Sequence, residues 1–250
     1  LEISFDFRRE EYFGDNMDSA KNRKKIILTA HQPAYLPWLG YFDKIIRSDV
    51  FVFLDAVQYE ERSFISRNKI KTPKGTIWLT VPVCSKGHRK SNMTETRIDN
   101  TQGWKKKHLN SIFLNYKKAP RFEILYPKLE EFYKKEFEFL ADLCIHQLFF
   151  WLKEIDVEKR IVSLSQLSIQ EKKSDLILKI CEDLNANHYI SGILGKDYIK
   201  EENFNRKGIT IEYQDYRHPV YPQLWGDFIP NLSILDFCMN TDNYALIGGG

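Results

Sequence analysis

Lys25-Ile-Ile-Leu-Thr-Ala-His-Gln-Pro-Ala-Tyr-Leu-Pro-Trp-Leu-Gly-Tyr-Phe-Asp-Lys-Ile-Ile-Arg-Ser-Asp-Val-Phe-Val-Phe-Leu-Asp55 decides the fold class. Lys25 to Ala30 is a short apolar run of strand-forming residues, and Val50 to Leu54 is a second. Between them Pro33 and Pro37 break the chain, and Trp38 to Arg47 carries apolar residues at helical spacing. Pro37 suits the first helical position. Strand, crossover helix and strand in about thirty residues make a βαβ unit. Such a crossover forces the two strands to run parallel.

The same reading extends outward. Lys69 to Val83 is read as a hairpin turning at Pro73-Lys74-Gly75. Residues 84–95 are read as a mobile polar loop and Trp104 to Tyr116 as a helix. A long helix is expected from about Pro127 to Ile155, with Leu129, Phe132, Phe139, Leu143 and Leu148 on its apolar face. Strands follow at Arg160 to Leu164, His188 to Ile190 and Ile209 to Tyr213. A helix capped by Ser174 runs to Leu184. Short helices are expected at Lys196 to Asn203 and Ser233 to Met239. The fold class is α/β: a Rossmann-like, mostly parallel sheet flanked by helices, with a helical lobe. Residues 1–24 form a polar N-terminal extension. Residues 25–247 are expected to be a single α/β domain with a helical insertion around 104–155.

Composition narrows the function classes. The 250 residues are 43% hydrophobic and 28% charged, a balance that builds a core rather than a disordered chain. With 37 basic and 34 acidic residues, net charge is +3. That balance gives no reason to expect nucleic acid as a partner. The basic runs Lys21–Lys25 and Trp104-Lys-Lys-Lys-His108 are read chiefly as solvated surface. No apolar run is long enough to span a bilayer, and residues 1–24 lack the apolar stretch of a signal peptide. Leu1 as first residue suggests a fragment or processed numbering. Cys84, Cys144, Cys181 and Cys238 have no metal-ligand spacing, so no structural metal is expected and a reducing, cytoplasmic setting is.

In open parallel sheets, ligands bind outside the carboxyl ends of the strands. The expected strands exit at His31-Gln32, Asp55, Ser163-Leu-Ser165, Ser191-Gly192 and Asp215-Tyr-Arg-His218. Polar, chemically able groups at five exits point to a shared cleft. His31 and Asp55 are the candidate catalytic pair: a carboxylate that orients an imidazole makes a general base near neutral pH. The alternative is that His31 only bonds a backbone carbonyl. Tyr35 and Trp38 sit beside a helix N-terminus, which favours anions. Trp38 either stacks on a ligand or packs the helix on the sheet. Gln58, Arg62, Ser63, Arg67, Asn68 and Lys71 form a polar cluster after the second strand. There the Arg fork suits phosphate or carboxylate. GxGxxG, Walker, HExxH and GxSxG motifs are absent.

His31-Gln-Pro-Ala-Tyr-Leu-Pro-Trp-Leu-Gly-Tyr-Phe-Asp-Lys44, Asp49-Val-Phe-Val-Phe-Leu-Asp55 with Gln58, and Arg67-Asn-Lys-Ile-Lys71 resemble the WbqC-like family. Trp78-Leu-Thr-Val-Pro82, Tyr189-Ile-Ser-Gly192 with Gly195 and Tyr198, Tyr221-Pro-Gln223 and Leu232-Ser-Ile-Leu-Asp236 agree. The resemblance covers about residues 26–240. It implies a role in bacterial O-antigen (lipopolysaccharide) or other surface-polysaccharide biosynthesis, with a proposed attachment of an acyl or aminoacyl unit to an amino sugar. It directs attention to His31, Gln32, Tyr35, Trp38, Lys44, Asp55, Gln58, Arg67 and Asn68 without assigning roles.

The expected function is therefore a transferase that acylates or aminoacylates the amine of a nucleotide-linked amino sugar. His31 and Asp55 would be catalytic. Gln32, Tyr35, Trp38, Lys44, Gln58, Ser63, Arg67, Asn68, Lys71, Ser191 and Gly192 would bind substrate. The co-substrate would be an acyl or aminoacyl donor, and a carrier protein is a second candidate partner. The alternatives are ATP-dependent nucleotidyl transfer or adenylation, and a non-catalytic binding partner of polysaccharide or carrier-protein enzymes.

Overall fold

The computed structural model describes residues 24–61, 63–84 and 92–248. The N-terminal extension up to residue 23, Arg62, most of the polar loop expected at 84–95, and Gly249-Gly250 lie outside the described residues. Five strands form one parallel sheet: β1 (Ile27–His31), β2 (Val50–Phe53), β5 (Arg160–Ser163), β6 (His188–Ser191) and β7 (Thr210–Tyr213). Their order across the sheet is β5-β2-β1-β6-β7. Helix α1 (Leu39–Arg47) is the crossover between β1 and β2, as the opening stretch requires. It starts after Trp38 rather than at Pro37, which stands outside the helix. The hairpin is β3 (Arg67–Thr72) with β4 (Gly75–Thr80), starting two residues earlier than expected.

Strand β2 shows how the sheet sorts its neighbours. All four residues are buried, yet Phe51 and Phe53 join one core and Val50 and Val52 the other, because side chains alternate across a strand. The Phe side meets α1, the hairpin, and a helical lobe of α2 (Trp104–Tyr116), α3 (Phe122–Lys134) and α4 (Leu140–Glu154). Helix α7 (Ile234–Asn240) closes that side. The Val side is covered by α5 (Lys173–Asp183) and α6 (Glu201–Arg206). In α2, Trp104 and His108 turn inward at i and i+4 while Lys106 and Lys107 face solvent, as a solvated basic face implies.

Three element readings need correction. The long helix from Pro127 is two helices, α3 and α4. Between them Glu138 O accepts from Ile98 N (2.8 Å) and Leu140 N donates to Thr96 O (2.8 Å), so the backbone spends its hydrogen bonds on a neighbouring segment instead of on a helix. Pro127 sits inside α3 rather than starting a helix. Ser174 is within α5 and caps nothing; its hydroxyl accepts from Lys200 N at 2.9 Å and ties α5 to the segment before α6. The helix expected at Lys196 to Asn203 is a 3-10 turn over Ile193–Asp197 followed by α6.

Candidate functional site

All five parallel strands end at one edge, so the polar exits do share a rim. The chain builds the sheet outward from β1 to β2 and β5, then returns to the other side of β1 for β6 and β7. The direction of winding reverses between β1 and β6. There α1 leaves toward one face and α6 toward the other, the arrangement at whose strand ends open α/β sheets bind ligands. His31 and Gln32 end β1 at that point, and Ser191 and Gly192 end β6.

His31 is held on three sides. Its Nδ1 lies 2.9 Å from Gln32 O; a carbonyl only accepts, so Nδ1 carries the proton and Nε2 the lone pair. The edges of Tyr41 and Trp38 meet the ring at centroid distances of 4.8 and 5.4 Å. Burial, with the Lys44 ammonium as second cause, lowers its pKa to about 3, so the ring is neutral at physiological pH.

Lys44 belongs to the second turn of α1, and helical side chains lean toward the helix N-terminus. This carries Nζ back to the end of β1, 3.4 Å from Ala30 O. The residue is 2% exposed. Desolvation lowers its pKa to about 8, against the opposing influence of Asp43. A methyl group on Gly192 would lie 3.9 Å from Nζ, in ordinary van der Waals contact, so Gly192 faces the ammonium directly. On the far side Gln214 ties the end of β7 to the rest: its N–H donates to Ser191 O (2.8 Å), and its Nε2 to Gly40 O (2.8 Å) and to Asp43 (2.5 Å). Asp43 and Gln214, which the sequence reading did not single out, thus tie α1 to the ends of β6 and β7. The signal was there for Asp43: it stands beside Lys44 at positions of α1 whose neighbours Phe42 and Ile45 are fully buried.

A strip of rings leads away from His31. Trp38 meets Phe64 at 5.5 Å and Phe64 meets Trp78 at 5.8 Å. Over Trp78 lie the Arg67 guanidinium at 4.3 Å and the Lys69 ammonium at 4.9 Å. Phe64 and Trp78 are among the exposed large side chains.

The pairing of His31 with Asp55 is corrected. Both residues stand at neighbouring strand ends, but the Asp55 carboxylate accepts from Ser165 N (2.8 Å) and Ser165 Oγ (2.6 Å). It faces β5 and caps the turn after that strand. Its partner is a neighbour on the other side of β2, and Gln32 O takes over the orientation of His31. Tyr35 is 0% exposed, so it cannot stack on a ligand. Its hydroxyl bonds Tyr133 and lies 2.8 Å from His108 Nδ1, while His108 Nε2 lies 3.1 Å from Thr80 O. Thr80 O accepts, so His108 Nδ1 takes the Tyr35 proton and Tyr133 donates to Tyr35.

Asn68 is also internal: Nδ2 donates to Leu36 O at 2.5 Å. Lys71 is 1% exposed and its ammonium donates to Gln223 Oε1 (3.1 Å) and Asp227 O (2.5 Å), so it is spent inside the protein rather than on phosphate. Ser63 closes a turn, its hydroxyl donating to Glu60 O at 2.8 Å. Gln58 is exposed and bridges to Asn92. Ser191 Oγ donates to its neighbour Gly192 O at 3.0 Å. The structure therefore gathers His31, Gln32, Trp38, Lys44, Ser191 and Gly192 at the switch point. It places Arg67 along the ring strip, and Asp55, Tyr35, Asn68 and Lys71 elsewhere. Among the described residues no helix is long and apolar enough to cross a membrane.

Comparison with known proteins agrees with the sequence motifs. A model of the WbqC-like protein family matches residues 32–246. An uncharacterized protein, Rv1507c, of Mycobacterium tuberculosis (strain ATCC 25618 / H37Rv) is 33% identical over 220 residues, covering 87% of this chain and 94% of its own. No solved structure matches.

Proposed function

This chain belongs to the WbqC-like protein family, and from that premise we propose a transferase of bacterial surface-polysaccharide (O-antigen) biosynthesis that acylates or aminoacylates the amine of a nucleotide-linked amino sugar. The observation that carries the proposal is the ring strip from His31 through Trp38 and Phe64 to Trp78, with Arg67 and Lys69 over its far end. Flat apolar rings suit sugar and base faces, and guanidinium and ammonium groups suit the phosphates between them. A nucleotide sugar lying along this strip brings its amine to His31.

At that end the amine nitrogen bonds to the acyl carbonyl carbon and the donor's leaving group departs. The nitrogen proton goes to His31 Nε2, the basic atom left by the Nδ1–H bond to Gln32 O. Burial, and after it the Lys44 ammonium, make His31 a weak base. Any anionic group of the reactants that pairs with Lys44 strengthens it. We assign the carbonyl oxygen, as charge develops on it, to the backbone amides after Ser191-Gly192.

The test is incubation with nucleotide-linked amino sugars and acyl or aminoacyl donors, read by the mass gained on the sugar. Product is expected with the wild-type chain. His31→Ala is expected to lose turnover by about 100-fold or more while retaining the thermal shift with nucleotide sugar. Undiminished turnover in that variant removes His31 from the chemistry. Pyrophosphate release from ATP, with no mass gained by the sugar, replaces the proposal with adenylation.

A further inference from the structure

We propose that the Lys44 ammonium is a receptor for the carboxylate of a small ligand bound between the ends of β1 and β6, against Gly192. An ammonium has three protons to donate. Among the described residues Nζ has one hydrogen bond, a long one of 3.4 Å to Ala30 O. At 2% exposure it does not recover the difference from bulk water. A cation taken out of water in this way is costly unless an anion or further acceptors meet it. The nearest carboxylate in sequence, Asp43, is engaged with Gln214 and Arg47.

The position argues for a ligand. Nζ stands where the winding of the sheet reverses, and the residue across from it has no side chain. Gly192 has a negative φ that any residue adopts, and an added Cβ would meet only Nζ, at 3.9 Å. The absence of a side chain there leaves room beside the charge.

The charge argues for a carboxylate. A single ammonium balances a single negative charge. His31 is neutral, and Arg47 is already paired with Asp43 and Glu212, so neither adds a second. Inorganic phosphate or a diphosphate brings more charge than this corner neutralises. The assignment does not depend on the transfer reaction, since it concerns binding of a carboxylate without any acceptor sugar.

The experiment is calorimetric titration and thermal shift of the full chain with sodium acetate, sodium phosphate and sodium chloride at matched ionic strength. Wild type is compared with Lys44→Met, which keeps the apolar stem, and Gly192→Val, which fills the space. Acetate is expected to bind saturably and raise the melting temperature of wild type. Affinity is expected to fall about tenfold or more in either variant, the loss of a charge-assisted contact. Equal acetate binding by wild type and folded Lys44→Met overturns the proposal. So does a chloride or phosphate shift as large as that of acetate. The variants' circular dichroism and melting without ligand show that they are folded, and Gly192→Val gives an independent result should Lys44→Met not fold.

Discussion

Leu36 has a left-handed backbone, φ 49°, without being glycine, and is fully buried. A bulky residue in that region carries strain of about 1–3 kcal/mol, which its surroundings must offset. Two amide side chains do so: Gln147 Oε1 accepts from Leu36 N and Asn68 Nδ2 donates to Leu36 O, both at 2.5 Å. They clamp the turn that sends the chain from His31 to Trp38. Asn68→Ala leaves the Leu36 carbonyl buried without that donor and is expected to cost about 1–3 kcal/mol in urea denaturation. It is also expected to broaden the NMR signals of the His31 and Trp38 rings. An unchanged midpoint with unchanged ring signals contradicts the clamp. Asn68 was singled out in the sequence as a substrate-binding residue, but its buried polar head serves the loop. No local pattern distinguishes the two, because both uses require a polar residue at a strand start.

At the scale of elements, β6 and the 3-10 turn after it meet very closely. A Cβ on Gly195 would lie 1.9 Å from Ser191 Oγ and 3.1 Å from Ser191 Cβ. Gly195→Ala is expected to displace Ser191 and with it the Gly192 corner, lowering stability by about 1–3 kcal/mol. Ser191→Ala in the same chain removes the worst contact and is expected to recover part of the loss, a non-additivity that a double-mutant cycle measures. Strictly additive effects show that the two residues do not compete for the same space. The helices illustrate what reads easily and what does not. The parallel pairing of β1 with β2 follows from the short βαβ stretch alone. The break between α3 and α4 does not, because Phe139 stands at helical spacing from Phe132 and Leu143 and leaves the helix only to bridge Arg97, some forty residues earlier in the chain.

For the whole molecule, buried histidines shape the response to acid, His31 and His108 most strongly and His218 in the same direction. Burial lowers His31 to about 3 and His108 to about 4, against 6.5 when unfolded. Between these values the unfolded chain binds more protons than the folded one, so stability rises with pH through the window from about 3 to 6.5 and is lost as the pH falls through it. The two shifts together set the loss at several kcal/mol, about 8 at the outside. The urea midpoint is expected to fall steadily from pH 6.5 to 4. His108→Gln is expected to flatten that slope, and a slope unchanged by the substitution assigns the protons elsewhere. The acid-sensitive sites join distant parts of the fold, since His108 links the helical lobe to the hairpin and to Tyr35, while His31 joins the sheet to α1.

The sequence by itself determined the strand–helix–strand opening, the α/β class, the common rim of strand ends, and the family signature. All of these are written in short-range periodicity, turn residues and contiguous motifs. Only the tertiary structure decided which rim residues act together. Asp55 turns to Ser165, Lys71 and Tyr35 vanish into the core, and Lys44 reaches back to face Gly192 across 148 positions. Whether a polar side chain faces a crevice or a neighbour depends on groups brought together by packing, and those groups are far apart along the chain.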